Sequence, residues 1–217
     1  MRVPPSAPHA ELELELFASG CSLIAGIDEV GRGAWAGPVS VGVAVVDVAC
    51  IGAFPPGVRD SKLLSPIQRF QLFPDIERAC VTSAVGHASP QECDSLGMTR
   101  AQGLATERAL AQLSVEPEAV IVDGKHDFTG HRRAVLSVGA DRTSIVVAAA
   151  SVLAKVVRDR LLVEASHIFP GYHLERNKGY ASLEHRQAVA AIGLSAIHRH
   201  SWSWRPPAEQ GPELGKP

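Results

Sequence analysis

The sequence predicts an α/β fold built on a mixed β-sheet flanked by helices. Three observations carry this. Apolar runs of strand length come early, at residues 23–27 and 39–48. Helix-signed and strand-like segments then alternate, and the last third of the chain is mostly helical in pattern.

Residues 1–18 read as an N-terminal arm, its first ten rich in Pro, Ala and Ser. Within it, Glu11-Leu12-Glu13-Leu14-Glu15-Leu16-Phe17 alternates with the period of a strand but consists of good helix formers, so a short helix stays open. The strand over 39–48 has Val at 39, 41, 43 and 45 with small residues between, the pattern of a largely buried strand. Pro55-Pro56-Gly57 is a loop leading to Asp60-Ser61-Lys62. Ser65-Pro66-Ile67-Gln68 and Ser89-Pro90-Gln91-Glu92 each put Ser at a helix cap, Pro in the first turn and Gln or Glu three residues on. Residues 82–88 form a strand between those two helices. A helix over 99–113 is expected to be capped by Thr99 with Gln102. Short strands follow at 119–122 and 134–138, ending at Asp123 and near Asp141. A long Ala/Val/Leu-rich helix over 143–165 carries Lys155, Arg158 and Asp159 on one polar edge, and a last helix covers 182–192. The body is expected over 19–205, with residues 206–217, rich in Pro, Gly and Glu, as a disordered tail. There is no internal repeat.

With 217 residues, 46% hydrophobic and 20% charged, the chain suits one compact domain. No apolar run reaches a membrane span, and the start lacks the basic-then-apolar pattern of a secretory signal. Cys21, Cys50, Cys80 and Cys93 form no CxxC pair and no zinc-like cluster; they read as reduced thiols of a cytoplasmic protein. Net charge is only −2, but it is unevenly spread. Residues 1–123 hold 8 Lys and Arg against 15 Asp and Glu, whereas residues 124–205 hold 12 against 6. A basic half beside a carboxylate-bearing half can hold a polyanion against metal ions. An ordinary solvated surface would give the same totals.

The most informative stretch is Ile27-Asp28-Glu29-Val30-Gly31-Arg32-Gly33, followed by Ala36-Gly37-Pro38-Val39. It sets two carboxylates at the end of a buried strand and an arginine between two glycines directly after. Buried carboxylates are costly without a cation, glycines let backbone approach a ligand, and arginine suits phosphate. Asp28, Glu29, Asp123 and Asp141 all lie at or just past the ends of apolar runs. If those strands are neighbours, four carboxylates converge, and oxygen-only ligands favour Mg²⁺ or Mn²⁺ over Zn²⁺. Two such ions about 4 Å apart suit phosphodiester hydrolysis. Any one Asp after a strand, taken alone, is equally a turn or cap residue. The glycines do not make a dinucleotide fingerprint, because Gly31-x-Gly33-x-x-x-Gly37 has the wrong spacing and Pro38 leads into a strand.

Taken in order, Gly26 to Gly33, Ala36-Gly37-Pro38-Val39, Asp60-Ser61-Lys62, Val122-Asp123-Gly124, the run from Ala148 to Asp159, Lys178-Gly179-Tyr180 with His185, and His198-Arg199-x-Ser201 resemble the ribonuclease HII (type 2 ribonuclease H) family over roughly residues 23–202. The resemblance implies a ribonuclease H-like sheet with a C-terminal helical extension. It implies metal-dependent hydrolysis of RNA in RNA–DNA hybrids and cutting 5′ of single ribonucleotides in duplex DNA, leaving 5′-phosphate and 3′-hydroxyl ends. Asp28, Glu29 and Asp123 fall on metal ligands of that family. Asp141 is taken as the fourth and Asp159 as the competitor, read as ion-paired on its helix. Gly31, Arg32, Gly33 and Tyr180 match residues that sense the 2′-hydroxyl. Lys62, Lys178 and His185 are the leading phosphate contacts, with Lys155, Arg158, Arg199 and Arg205 behind them, and Ser61 either reaches a phosphate or caps a turn. The implied cofactor is Mg²⁺ or Mn²⁺, two ions during catalysis. The partners are hybrid and ribonucleotide-bearing duplexes; no protein partner is named, no membrane is involved, and the default state is a monomer.

The chain departs from the family pattern in places. Gly139 stands where a lysine is usual, leaving open what supports Asp141. Ala181-Ser182 replaces Gly-Thr after Tyr180, and Trp202 replaces Phe, read as packing the extension more than stacking on nucleic acid. Three other readings are a catalytically silent hybrid-binding protein, a DNA-resolving or integrase-type nuclease of the same fold, and a phosphate-sugar enzyme with a Rossmann-like sheet, which the glycine spacing disfavours. The four carboxylates argue against the first, and the Gly31–Gly33 loop with Tyr180 against the second.

Overall fold

A computed structural model describes residues 8–130 and 133–202. Helix α1 (Glu11–Ala18) leads into β1 (Ile24–Val30) and β2 (Val39–Val46). After 3₁₀ turns at Cys50–Ala53 and Ser61–Leu63 come α2 (Pro66–Ala79), β3 (Thr82–Ala88), α3 (Pro90–Leu96) and α4 (Met98–Leu110). Then follow β4 (Ala119–Asp123), β5 (Ala134–Ser137), α5 (Ala140–Thr143), α6 (Ile145–Ile168), α7 (Leu174–Asn177) and α8 (Leu183–Ile192). The sheet is mixed, in order β3-β2-β1-β4-β5. β1 to β3 pair antiparallel, while β1 and β4, and β4 and β5, pair parallel.

Each face of the sheet is covered. Ala25, Ile27 and the odd-numbered valines of β2 pack with Ala101, Ala105 and Ala109 of α4. The other face meets α6. A Cβ on Gly26 would lie 2.3 Å from the Val146 carbonyl carbon, and one on Gly42 would lie 2.3 Å from the Ala150 carbonyl oxygen. Only glycine lets the helix backbone come this close to the strands.

Both Ser-Pro starts form full capping boxes, Ser65 with Gln68 and Ser89 with Glu92. One open alternative is resolved and two expectations change. The alternating Glu/Leu run is a helix, and it is docked onto the body: Glu13 Oε1 is buried and accepts from Ser144 Oγ and Val146 N. That contact ties residues 11–18 of the expected arm into the fold. Helix α4 begins at Met98 behind Gly97 (φ 77°), with no side-chain cap, so Thr99 is not its cap. The end of the fifth strand, β5, and the start of the long helix are separated by the one-turn α5, which holds Asp141. Arg205 and the proposed tail lie outside the described residues. All four cysteines are free.

Candidate active site

Register places the carboxylates. Ile27 of β1 sits opposite Val122 of the parallel β4, so Asp28 and Asp123 each come one residue later, at neighbouring strand ends. Side chains alternate along a strand. Asp28, opposite Gly42, shares the α6 face, whereas Glu29, opposite Val41, shares the α4 face. The adjacent pair therefore straddles the sheet end. Asp28 and Asp141 are almost wholly buried, at 4% exposure each.

Burial first, then the charges of Glu29, Asp123 and Asp141, hold the Asp28 carboxyl well above its ordinary range, while Lys62 pulls it down. Burial also raises Glu29, with Arg32 opposing. Asp123 Oδ1 accepts from the backbone N–H groups of Gly139 (2.7 Å) and Ala140 (3.0 Å). These donors are free because they open α5, and Gly139 takes a left-handed conformation (φ 75°) there. The cation beside Asp141 is Lys62, whose Nζ is 3.3 Å from Oδ2. That answers what Gly139 leaves open: charge support for Asp141 comes from the 60–62 turn. Asp159 pairs with Lys155 at 2.8 Å and with Arg69 at 3.9 Å, as an ion-paired structural residue would.

Asp60 was not among the expected acids. It is buried, its Oδ1 accepts from Lys62 N, and burial and then neighbouring Asp141 raise its carboxyl. The signal in the sequence was its place two residues before Lys62. Gln102 was also missed; its Oε1 accepts from Arg32 Nη1 at 3.1 Å.

The loop at Gly31 to Gly33 is built from beneath. Gly31 has φ 83°, and a Cβ there would lie 2.1 Å from Arg158 Nε. Gly33 instead faces open space. Arg158 donates to the carbonyls of Pro38, Lys178 and Ala36. Arg199 donates to those of Gly31, Arg32 and Gly37. Burial pulls the Arg199 pKa down to about 10. Neither arginine is available to phosphate as expected, because both are buried and their guanidinium groups are engaged with main-chain carbonyls. Trp202 packs under the Arg199 guanidinium, 5.2 Å away.

Tyr180 is 37% exposed, with Lys155 and Arg158 each 5.4 Å from its ring centre. Lys178, in a left-handed conformation (φ 50°), borders the same cleft as Lys155 and Tyr180. Ser61 is buried, its N–H donating to Ser151 Oγ and its carbonyl accepting from Arg69. His185 corrects an expectation. It is fully buried, and its imidazole lies in a chain of hydrogen bonds, so it does not reach a phosphate. Ser195 N donates to His198 Nδ1, which therefore accepts. His198 Nε2 then donates to His185 Nε2 (3.1 Å), and His185 Nδ1 donates to the Tyr180 carbonyl (2.8 Å). His185 and His198 thus hold the backbone of Tyr180 to the C-terminal segment.

Carboxylate oxygens with one lysine, around an Asp28 pushed toward its neutral form, are a donor set that fits a hard divalent cation. Among the described residues no three His, Cys, Asp or Glu side chains close tightly enough to hold an ion unaided. Mg²⁺ does not require such a cage: it keeps waters and takes one or two carboxylates together with substrate phosphate oxygens.

A sequence profile described as Ribonuclease HII matches residues 25–204. The chain is 44% identical over 204 residues to a protein named Ribonuclease HII from Streptomyces avermitilis, covering 93% of this chain and 86% of that one. It is 43% identical over 204 residues to a Ribonuclease HII of Thermus thermophilus, covering 93% and 94%. Its fold is similar to the crystal structure of ribonuclease H2 from Pyrococcus horikoshii, with TM-score 0.71 and 28% identity over 83% of this chain and 93% of that one. With the profile spanning most of the described body, the chain belongs to the ribonuclease HII family.

Proposed function

We propose that this endoribonuclease, which acts on RNA–DNA hybrids, also cuts duplex DNA 5′ of a single embedded ribonucleotide, by a two-metal-ion reaction leaving 5′-phosphate and 3′-hydroxyl ends. The observation that carries this reading is the junction of two devices: carboxylates at neighbouring strand ends beside buried Asp141, with Asp28 buried among them, and a glycine-arginine-glycine loop held in place by Arg199. Asp28, Asp123 and Asp141, with Glu29, would hold Mg²⁺ or Mn²⁺. When bound, the metal supplies activation of the attacking water and stabilisation of the 3′-oxygen that leaves.

The chain's own groups do the rest. Lys62 sits beside Asp141 and offers charge to the phosphate region. The exposed face of Gly33 lets a ribose approach the backbone, and Tyr180 presents a ring and a hydroxyl to the sugar. A 2′-hydroxyl is what separates RNA from DNA at one position, so selection needs a donor and acceptor at the sugar. The cytoplasm is the setting this reading gives it.

The test is a labelled duplex holding one ribonucleotide, incubated with Mg²⁺, Mn²⁺ or EDTA, beside an all-DNA duplex and the Asp28→Asn variant. One metal-dependent cut 5′ of the ribonucleotide, lost by at least about a hundredfold in the variant, is expected. Cutting of the all-DNA duplex would point to a different nuclease. Asp141→Asn should be as damaging as Asp28→Asn; if it cuts normally while Asp159→Asn does not, the fourth ligand is Asp159.

A further inference from the structure

Gln102 of α4 is 1% exposed. Its Oε1 accepts from Arg32 Nη1, and because a guanidinium only donates, the orientation of the amide is fixed. Its Nε2 is then a buried donor with no acceptor among the described residues. Buried polar groups are nearly always satisfied, so such a donor marks a place for a missing oxygen. Gln102 borders a cleft of ≈ 490 Å³, where Arg32, Lys125 and His126 add further donors and Phe128 forms part of the wall. No carboxylate pairs with Lys125 within 4 Å among the described residues. Glu29, Asp123 and Asp127 border the same cleft, so whatever fills it lies beside the carboxylate cluster. The volume suits a nucleotide unit. The cleft shares no lining residue with the one that holds Tyr180 and Lys178.

We propose that this cleft is a phosphate subsite, with Gln102 Nε2 as its buried donor and Arg32 and Lys125 as its cations, seating a phosphodiester of the cut strand near the scissile bond. The phosphate chemistry rests on the cleft alone; its assignment to a nucleic-acid strand rests on the nuclease reading above. Gln102 is a positioning residue here through both its free donor and its hold on Arg32. A strand held beside Glu29 and Asp123 is fixed along its length as well as at the sugar.

Two variants test it. Gln102→Glu keeps the shape and the acceptor for Arg32 but replaces the donor with a repelling oxygen. Lys125→Ala changes an exposed residue and leaves the core intact. Binding of an uncleaved RNA–DNA hybrid is measured in EDTA across a salt series, with KM and kcat measured in Mg²⁺. Each variant is expected to weaken hybrid binding about fivefold to tenfold and raise KM in step, with kcat within about twofold. Lys125→Ala should also lower the salt slope by about one. Thermal unfolding checks that Gln102→Glu is folded; if it is not, Lys125→Ala decides. Wild-type affinity and salt slope in the folded variants would overturn the proposal. Titrations with inorganic phosphate and a ribonucleoside 5′-monophosphate separate the sources. Variant-sensitive binding of those small anions with unchanged hybrid binding would overturn the assignment to the strand. A wild-type protein that fails to cut the hybrid, yet binds phosphate through Gln102 and Lys125, would overturn the nuclease reading and leave the subsite standing.

Discussion

Asp28 is held with its charged form disfavoured by burial and by three acidic neighbours, against one lysine. Its folded pKa is raised above the ordinary value, so the native state binds more protons than the unfolded chain from about pH 4 upward. Stability therefore falls as pH rises through the raised value and stays lower beyond it. Asp28→Asn should then be more stable than the parent in EDTA at pH 8, by about 1–2 kcal/mol, and Mn²⁺ should raise the melting temperature of the parent more than that of the variant. Equal melting temperatures in EDTA would show that the cluster is not under electrostatic strain. His198 works in the opposite sense. Burial first, then His185, lowers its pKa to about 4. Between the ordinary histidine value and pH 4 the unfolded chain takes up the proton and the native state does not, so stability drops as pH falls through that window. A pH series of thermal unfolding should show a shallower acid-side decline in His198→Gln than in the parent.

At the scale of elements, α6 is the scaffold against which the sheet, α1 and α2 are set. Its N-terminus is capped by Ser144, which accepts from Val147 N and donates to buried Glu13. Ser144→Ala removes both bonds and leaves Glu13 Oε1 with only Val146 N. The expected loss is about 1–2 kcal/mol in urea denaturation, and Glu13→Gln, which keeps a carbonyl acceptor, should lose less. The caps at Ser65 and Ser89 were legible because a capping box is local chemistry written within four residues. The start of α4 was not, since Gly97 ends α3 and opens α4 at once, and nothing local distinguishes that from a cap at Thr99. The alternation of α1 matched a strand's period, but docking of Glu13 and Leu16 decided for helix. One-turn helices such as α5 and α7 are too short to show a period at all.

In the molecule as a whole, closeness between helix and sheet is set by residues that lack a side chain. Gly42→Ala would drive a methyl into the Ala150 carbonyl, and about 1–3 kcal/mol of destabilisation is expected. Gly33→Ala meets nothing and should leave the unfolding midpoint unchanged while impairing hybrid cutting. A matched loss of stability in both would remove the distinction between packing and approach. The carboxylates of the site were legible because each ends an apolar run. Their arrangement was not: the opposite faces of Asp28 and Glu29, the grip of Gly139 and Ala140 on Asp123, and the turn that brings Lys62 to Asp141 depend on contacts distant in sequence. Likewise the motif residues His185, Arg158 and Arg199 were recognisable, but only the packing reveals that they face inward.

The seat of the Gly31 to Gly37 turn is Arg199, more than 160 residues further along the chain. A polypeptide growing on the ribosome holds Asp28, Glu29, Asp123 and Asp141 well before that arginine emerges. Until then the carbonyls of Gly31, Arg32 and Gly37 lack the guanidinium beneath them, and Arg158 holds only the Ala36 end of the turn. Chains cut before residue 199 would carry every acid of the cluster and still lack these hydrogen bonds, and they are expected to lose hybrid cutting.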